Sequence, residues 1–240
     1  MKDPLILAIE CSDQQGSFAL LRGERVLAHS SESLGKKLSQ QIVPRIEAIL
    51  AEGGAALTDL DAIGVTVGPG SFTGLRVGLA TVKGLVAAVP SIKVVGVGTL
   101  EALVLGIEEE GLVGAALDAR RGDVYAGLYR ASGKPGTQRT IECIEEPAAL
   151  ASADWARQLA TRGEPVTLVG AGALNNRDAM SGILGDGAHF CSEESAIADA
   201  RQVGELTRRA ALAGDFANPE SLTPSYVQVS QYARADGTLG

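Results

Sequence analysis

His29 and His189 are the only histidines in the chain. No H-x-x-x-H or H-E-x-x-H pair sets two imidazoles one helical turn apart, which is how a single helix offers two ligands to one ion. The expectation is therefore no metal site. Covalent catalysis has as little to work with, because no histidine stands in a recognisable serine or cysteine nucleophile context. Cys11 falls inside an apolar run, where a thiol is buried and inert. Cys11, Cys143 and Cys191 are odd in number, far apart and without a C-x-x-C pair. They read as small apolar residues of a reducing compartment and not as a disulfide framework.

Phosphate chemistry needs backbone N–H groups gathered by glycines, commonly at a helix start. Four stretches come near this. Glu10-Cys11-Ser12-Asp13-Gln14-Gln15-Gly16 holds one glycine, and Asp13 would repel a phosphate unless a cation intervened. Asp118-Ala119-Arg120-Arg121-Gly122 and Gly170-Ala171-Gly172 each follow an apolar run. Ser12, Asp118, Gly122, Gly170 and Gly172 are thus weak candidate nucleotide contacts, and each has a plain alternative. Asp118 with Arg120 makes a salt-bridged turn, and G-x-G after a strand is common. In the fourth stretch, Gly68-Pro69-Gly70-Ser71 opens a helix, with Ser71 placed as its N-cap. Pro69 and Phe72 favour a rigid structural elbow there over an anion cradle.

The elements around these residues follow from periodicity. Strands are expected over 5–11, 16–22 and 25–31, with Gly23-Glu24 as a two-residue hairpin turn. A helix comes next, from Lys37 to Glu52, bent or restarted at Pro44 and ended by Gly53-Gly54. A strand over 59–67 feeds the elbow, and a helix runs from Ser71 to Val89. Then come a strand over 92–97, a Thr99-capped helix to about Ile107, strands over 112–117 and 123–129, and a helix over 147–161. A strand over 165–169, a helix over 196–213 and a last strand over Pro224–Val229 complete the reading. Antiparallel strands followed by a helix suggest a ribonuclease-H-like half-domain. The fold class is therefore α/β, two such lobes of the actin/Hsp70/sugar-kinase class. With Glu108-Glu109-Glu110-Gly111 as the boundary, residues 1–110 form the N-terminal lobe and 111–240 the C-terminal one.

The helix after the elbow carries Gly74, Gly78 and Gly84, each costing about 1 kcal/mol relative to alanine. Gly74, Gly78 and Thr81 share a nearly side-chain-free face that a second helix could approach closely, as small residues permit in membranes. That face packs either on its own domain or on a neighbouring molecule. With the helix over 38–52 alongside, the surface it would present comprises Ile42, Arg45, Ile46, Ile49, Gly74, Gly78 and Thr81.

At 240 residues and 45% hydrophobic, the chain can bury a substantial core. It has no apolar run long enough for a membrane span, and Met1-Lys2-Asp3-Pro4 does not open a secretory signal. A cytoplasmic location is expected, with no membrane. The net charge of −8 would mostly repel RNA, so any service to RNA chemistry should pass through a partner.

GPGSFTGLRVG at 68–78, LILAIECS at 5–12, VVGVGTLEAL at 94–103, ALDARRGDVYAGLY at 116–129 and TPSYV at 223–227 together resemble the TsaB (YeaZ) family. Residues 132–220 match it least distinctively. The resemblance implies a noncatalytic partner of a TsaD-type enzyme, which transfers a threonylcarbamoyl group to adenosine of tRNA. It further implies docking of a TsaE-type ATPase, a homodimer when the partner is absent, and tRNA bound only indirectly. It implies no cofactor of the chain's own, with ATP at most at the partner interface, and pairing through the two helices named above. The sequence departs from the family pattern at Glu10 (commonly Asp), Cys11 (Thr), Leu38 (His) and Gln228 (Arg). Contacts that rely on the family's side chains at those positions are in doubt. The competing reading from the same fold is an autonomous ATPase or sugar-kinase-like enzyme. A glycoprotease-like peptidase comes third, disfavoured by the missing ligands.

Overall fold

The computed structural model describes residues 3–134 and 139–225. In chain order it contains β1 (Leu5–Glu10), β2 (Gln15–Arg22), β3 (Arg25–Ser33), α1 (Leu38–Glu52), β4 (Ala62–Gly68), α2 (Phe72–Ala88), β5 (Lys93–Gly98) and α3 (Thr99–Gly106). Then come β6 (Gly111–Arg120), β7 (Asp123–Ser132), β8 (Thr140–Ala151), α4 (Ser152–Ala160), β9 (Val166–Val169), α5 (Ala171–Asn175), α6 (Arg177–Leu184), β10 (Ala188–Phe190) and α7 (Ala200–Ala213). Two compact units result: the chain up to Ala102 together with Ala198–Ser225, and Leu103–Ile197.

Each unit is built on a five-stranded sheet, ordered β3-β2-β1-β4-β5 in unit 1 and β8-β7-β6-β9-β10 in unit 2. The first three strands of each unit pair antiparallel, and the last two add in parallel on the other side of the first strand. One topology is thus used twice, the duplicated design of the actin/Hsp70/sugar-kinase class.

In unit 1, β1 is buried along its whole length, as a strand covered on both faces must be. Its odd residues Leu5, Leu7 and Ile9 join Ile42, Ile46 and Ile49 of α1 and Leu79, Val82 and Val86 of α2 in one core. The alternate face needs its own cover, and α7 provides it. A Cβ at Gly64 of β4 would run into Thr207, and one at Gly204 would meet Leu21 of β2. This corrects the expected lobe boundary: the C-terminal helix belongs to unit 1, because a two-sided apolar strand cannot be left half covered.

Three other expectations fail on local grounds. Pro44 does not restart the helix, which passes through it; Gln40 and Pro44 are both exposed, so the carbonyl that loses its donor can be hydrated. Residues 147–151 are the end of β8, paired with β7 through Tyr125↔Ala149 and Val124↔Leu150, and the helix begins only at Ser152. Thr99 opens α3 with its hydroxyl buried and without a partner among the described residues. The strand expected over Pro224–Val229 lies mostly outside the described residues. Within them, the Ser225 N–H donates to the carbonyl of Val67 at 2.7 Å.

Candidate functional site

The elbow forms as its residues require. Gly68 (φ 122°) and Gly70 (φ 153°) occupy backbone conformations that side chains disfavour. The Ser71 hydroxyl caps α2 by accepting from the Gly74 N–H at 3.3 Å, and the Ser71 N–H donates to the carbonyl of Ser12 at 2.6 Å. A Cβ at Gly70 would strike that same Ser12 carbonyl.

The glycine face of α2 does not look outward. A Cβ on Gly74 would collide with the carbonyl oxygen of Cys11, and one on Gly78 would sit 3.0 Å from the Cys11 sulfur. Both glycines let α2 settle onto the end of β1. The expected partner surface is therefore overturned at most of its members. Ile42, Ile46 and Ile49 are core residues, Gly74 and Gly78 are buried, and Arg45 is tied to Glu32 at 2.7 Å. Half-buried Thr81 turns its hydroxyl back to the carbonyl of Val77 at 2.9 Å. Apolar residues repeating every three to four positions marked the inward faces of both helices, as such stripes ordinarily do.

The outward faces are different residues. Outside the backbone of its own helix, no described residue comes within 4 Å of where a Cβ on Gly84 would be, so no described packing accounts for a glycine there. With Thr73, Ala80 and Ala87 it forms an exposed stripe of small side chains along α2. Phe72 is 54% exposed at the head of this helix with Arg76 stacked 3.9 Å above its ring, and α1 alongside adds exposed Val43. Counted among the costly glycines, Gly84 was the signal that could have located this face.

A buried acid stands at the end of β1. The Glu10 Oε1 accepts from the N–H of Ser12 at 2.7 Å and from its hydroxyl, while Oε2 takes no hydrogen bond from any described residue. Complete burial pushes this carboxyl up to about 7 against the pull of the Ser12 hydrogen bonds, with Asp13 and Asp199 adding to the rise. Burial likewise raises the Cys11 thiol, which fits the expected inertness. Nearby, Asp199 caps α7, and its Oδ2 lies 2.8 Å from His29 Nε2 and 3.3 Å from the Ser17 hydroxyl. Burial works to raise Asp199, but the side-chain and backbone hydrogen bonds of Arg201, with His29, hold it below the ordinary carboxylate range. His29 thus fastens α7 to β3. His189 lies in the other unit, on β10, and no three His, Cys, Asp or Glu side chains gather into a metal cluster among the described residues.

In unit 2 the weak nucleotide candidates have structural employment. Asp118 accepts from the Arg120 N–H at 2.7 Å and from Asn175 Nδ2 at 3.3 Å, fixing the β6–β7 turn in which Gly122 adopts φ 86°. Gly170 and Gly172 sit where a Cβ would strike the backbone of Ala116 and Leu117. They bring the start of α5 down onto β6.

Comparison with known proteins bears on these features. A family model described as TsaD, tRNA N6-adenosine threonylcarbamoyltransferase, matches residues 26–222. The tRNA threonylcarbamoyladenosine biosynthesis protein TsaB of Bacillus subtilis is 34% identical over 75% of this chain and 76% of its own. This chain belongs to the TsaB family. The TsaB of Escherichia coli is 38% identical over 52% of this chain and 54% of its own. Among solved structures, YeaZ from Pseudomonas aeruginosa superposes with a TM-score of 0.74 at 25% identity, covering 93% of this chain and all of that one (100%). An uncharacterized Pseudomonas aeruginosa protein with similarity to peptidase YeaZ reaches 0.80 at 26%, covering 93% and 99%. The fold extends to a hexokinase of Thermus thermophilus at a TM-score of 0.50 and 13% identity, covering 87% and 99%. At positions where the resemblance implied other residues, the chain's own packing uses the residue present. Leu38 is a core side chain and Glu10 closes the β1 turn, whereas Gln228 lies outside the described residues.

Proposed function

We propose that this chain is a noncatalytic subunit that docks on a TsaD-type enzyme and supports its transfer of the threonylcarbamoyl group to adenosine of tRNA. The docking surface in this reading is the outer face of α2 with α1 beside it, and the observation that carries it is Gly84. This glycine sits mid-helix, exposed, with no packing reason among the described residues, on a helix whose other two glycines are explained by Cys11. A bare stripe through Thr73, Ala80, Gly84 and Ala87 admits a partner helix to close range. Phe72 supplies an aromatic anchor at its head. The same stripe on a second copy would be self-complementary, so homodimer and heterodimer compete for it. A TsaE-type ATPase completes the assembly, and ATP enters with the partners.

Co-purification with a TsaD-type protein, followed by a tRNA modification assay with and without this chain, tests the reading. Modification should require both proteins, and Gly84→Leu should abolish association while leaving thermal stability intact. ATP turnover by the purified chain at an ordinary enzymatic rate, or association unaffected by Gly84→Leu, would count against it.

A further inference from the structure

We infer that the β6–β7 turn is a contact for the phosphate backbone of RNA, with Arg120 and Arg121 as its two cations. The inference rests on the tRNA-modifying reading above. Three successive residues here take positive φ: Arg120 at 71°, Arg121 at 57° and Gly122 at 86°. Gly122 fits the two-residue turn, but the other two positions favour Gly, Asn or Asp, and an arginine there works against its own backbone preference. Strain of this kind collects at functional positions.

The turn is held from both sides. Asp118 binds the Arg120 N–H, Asn175 braces Asp118, and the Ser152 N–H donates to the carbonyl of Gly122 at 3.0 Å. Asp118 is thereby engaged by the backbone and by Asn175. Both arginine side chains are exposed, and neither forms an ion pair among the described residues. Arg45, Arg130, Arg157, Arg201 and Arg208 each find a carboxylate; exposed Arg25 and Arg177 form no ion pair among the described residues either, but only at 120–121 do two such arginines adjoin. The two guanidinium groups stand together at the tip of the turn, between Asp118 and Asp123. No exposed aromatic or aliphatic side chain sits at the tip to anchor a protein partner. A contact made of charge alone suits phosphate, which guanidinium groups grip in a bidentate fashion and which carries no sequence to read. In so acidic a chain the contact is weak by itself and adds most to tRNA binding within the assembly.

The test titrates an unmodified tRNA transcript with the complex of the full chain and a TsaD-type enzyme across a salt series. The double variant Arg120→Asn/Arg121→Gly should lower the slope of log affinity against log salt by about 1.5 to 2, and weaken binding roughly tenfold at 0.15 M salt. It should leave association of the two proteins unchanged and melt no lower than the parent. Arg120→Lys/Arg121→Lys should retain most of the slope. An unchanged slope in the Asn/Gly variant overturns the inference, as does weakened association of the proteins with the RNA slope intact, which would make the turn a protein contact. If the unsubstituted proteins fail to associate, the partner reading falls. The same titration on the chain alone then decides the turn: salt-dependent tRNA binding lost on substitution supports it, and no tRNA binding at all overturns it.

Discussion

The turns that end β1 and β6 occupy the same place in two copies of one topology, yet they are built oppositely. In unit 1 the turn folds inward. Glu10 and Ser12 are buried, and the carbonyls of Cys11 and Ser12 form the seat for α2 and its elbow. In unit 2 the matching turn is exposed, carries two arginines and is fixed by Asp118 instead of by a long helix. The helices after the fourth strand differ to match: the 17 residues of α2 in unit 1, against the 5 of α5 and 8 of α6 in unit 2. Duplication supplied the sheet, and each copy then used its central turn differently, one to pack a helix and the other to face the solvent.

The largest expected effect tests the packed turn. Gly74→Leu must displace the backbone carbonyl of Cys11, and overpacking against main chain should cost about 3 kcal/mol or more. Gly78→Leu, which meets a sulfur at 3.0 Å, should come close behind. Gly84→Leu lies in open space and should be neutral or gain up to about 0.8 kcal/mol from helix propensity. Urea denaturation of the three variants orders them. If Gly84→Leu were as damaging as Gly74→Leu, the division between inner and outer glycines would be wrong.

The next effect belongs to Glu10. Its folded-state carboxyl is raised to about 7 from an ordinary 4.5, so between those values the folded chain holds a proton that the unfolded chain has released. Stability therefore falls as pH rises from about 4.5 through about 7 and is flat above, a loss of roughly 3 kcal/mol in all. Glu10→Gln cannot ionise and should lack this decline. Denaturation midpoints at pH 5, 6, 7 and 8 would show it, and parallel pH profiles for variant and parent would contradict the buried acid.

How much of this was legible in the sequence depends on the same division. The strands β1, β2 and β4, the Ser71 cap and the elbow could be read from local pattern, because each is set by residues close to one another in the chain. The direction of the α2 glycine stripe could not, since a bare face seats equally well on a neighbour or on its own β1. Only the position of Cys11 distinguishes the two. The docking of α7 on unit 1 was hidden for a related reason: its Gly204 and Thr207 answer Leu21 and Gly64, far away in sequence. In unit 2, β8 was misread because Ala148-Ala149-Leu150-Ala151 favours a helix in isolation, and pairing with β7 overrides it. Arg120 and Arg121 were visible as residues, but their backbone strain was not.

The smallest effect sharpens the contrast at the exposed turn. At φ 57°, Arg121 carries a strain of about 1 to 2 kcal/mol that glycine would not. Glycine in turn gives the unfolded chain additional freedom worth about 0.4 to 1 kcal/mol. The difference leaves Arg121→Gly more stable by about 0.5 to 1 kcal/mol, and Arg121→Asn, which tolerates the left-handed region without the added freedom, at least as stable. Both should melt slightly above the parent in calorimetry. A drop in melting temperature would mean that the arginine side chain is part of the fold, and the exposed turn would then differ from the buried one in location only.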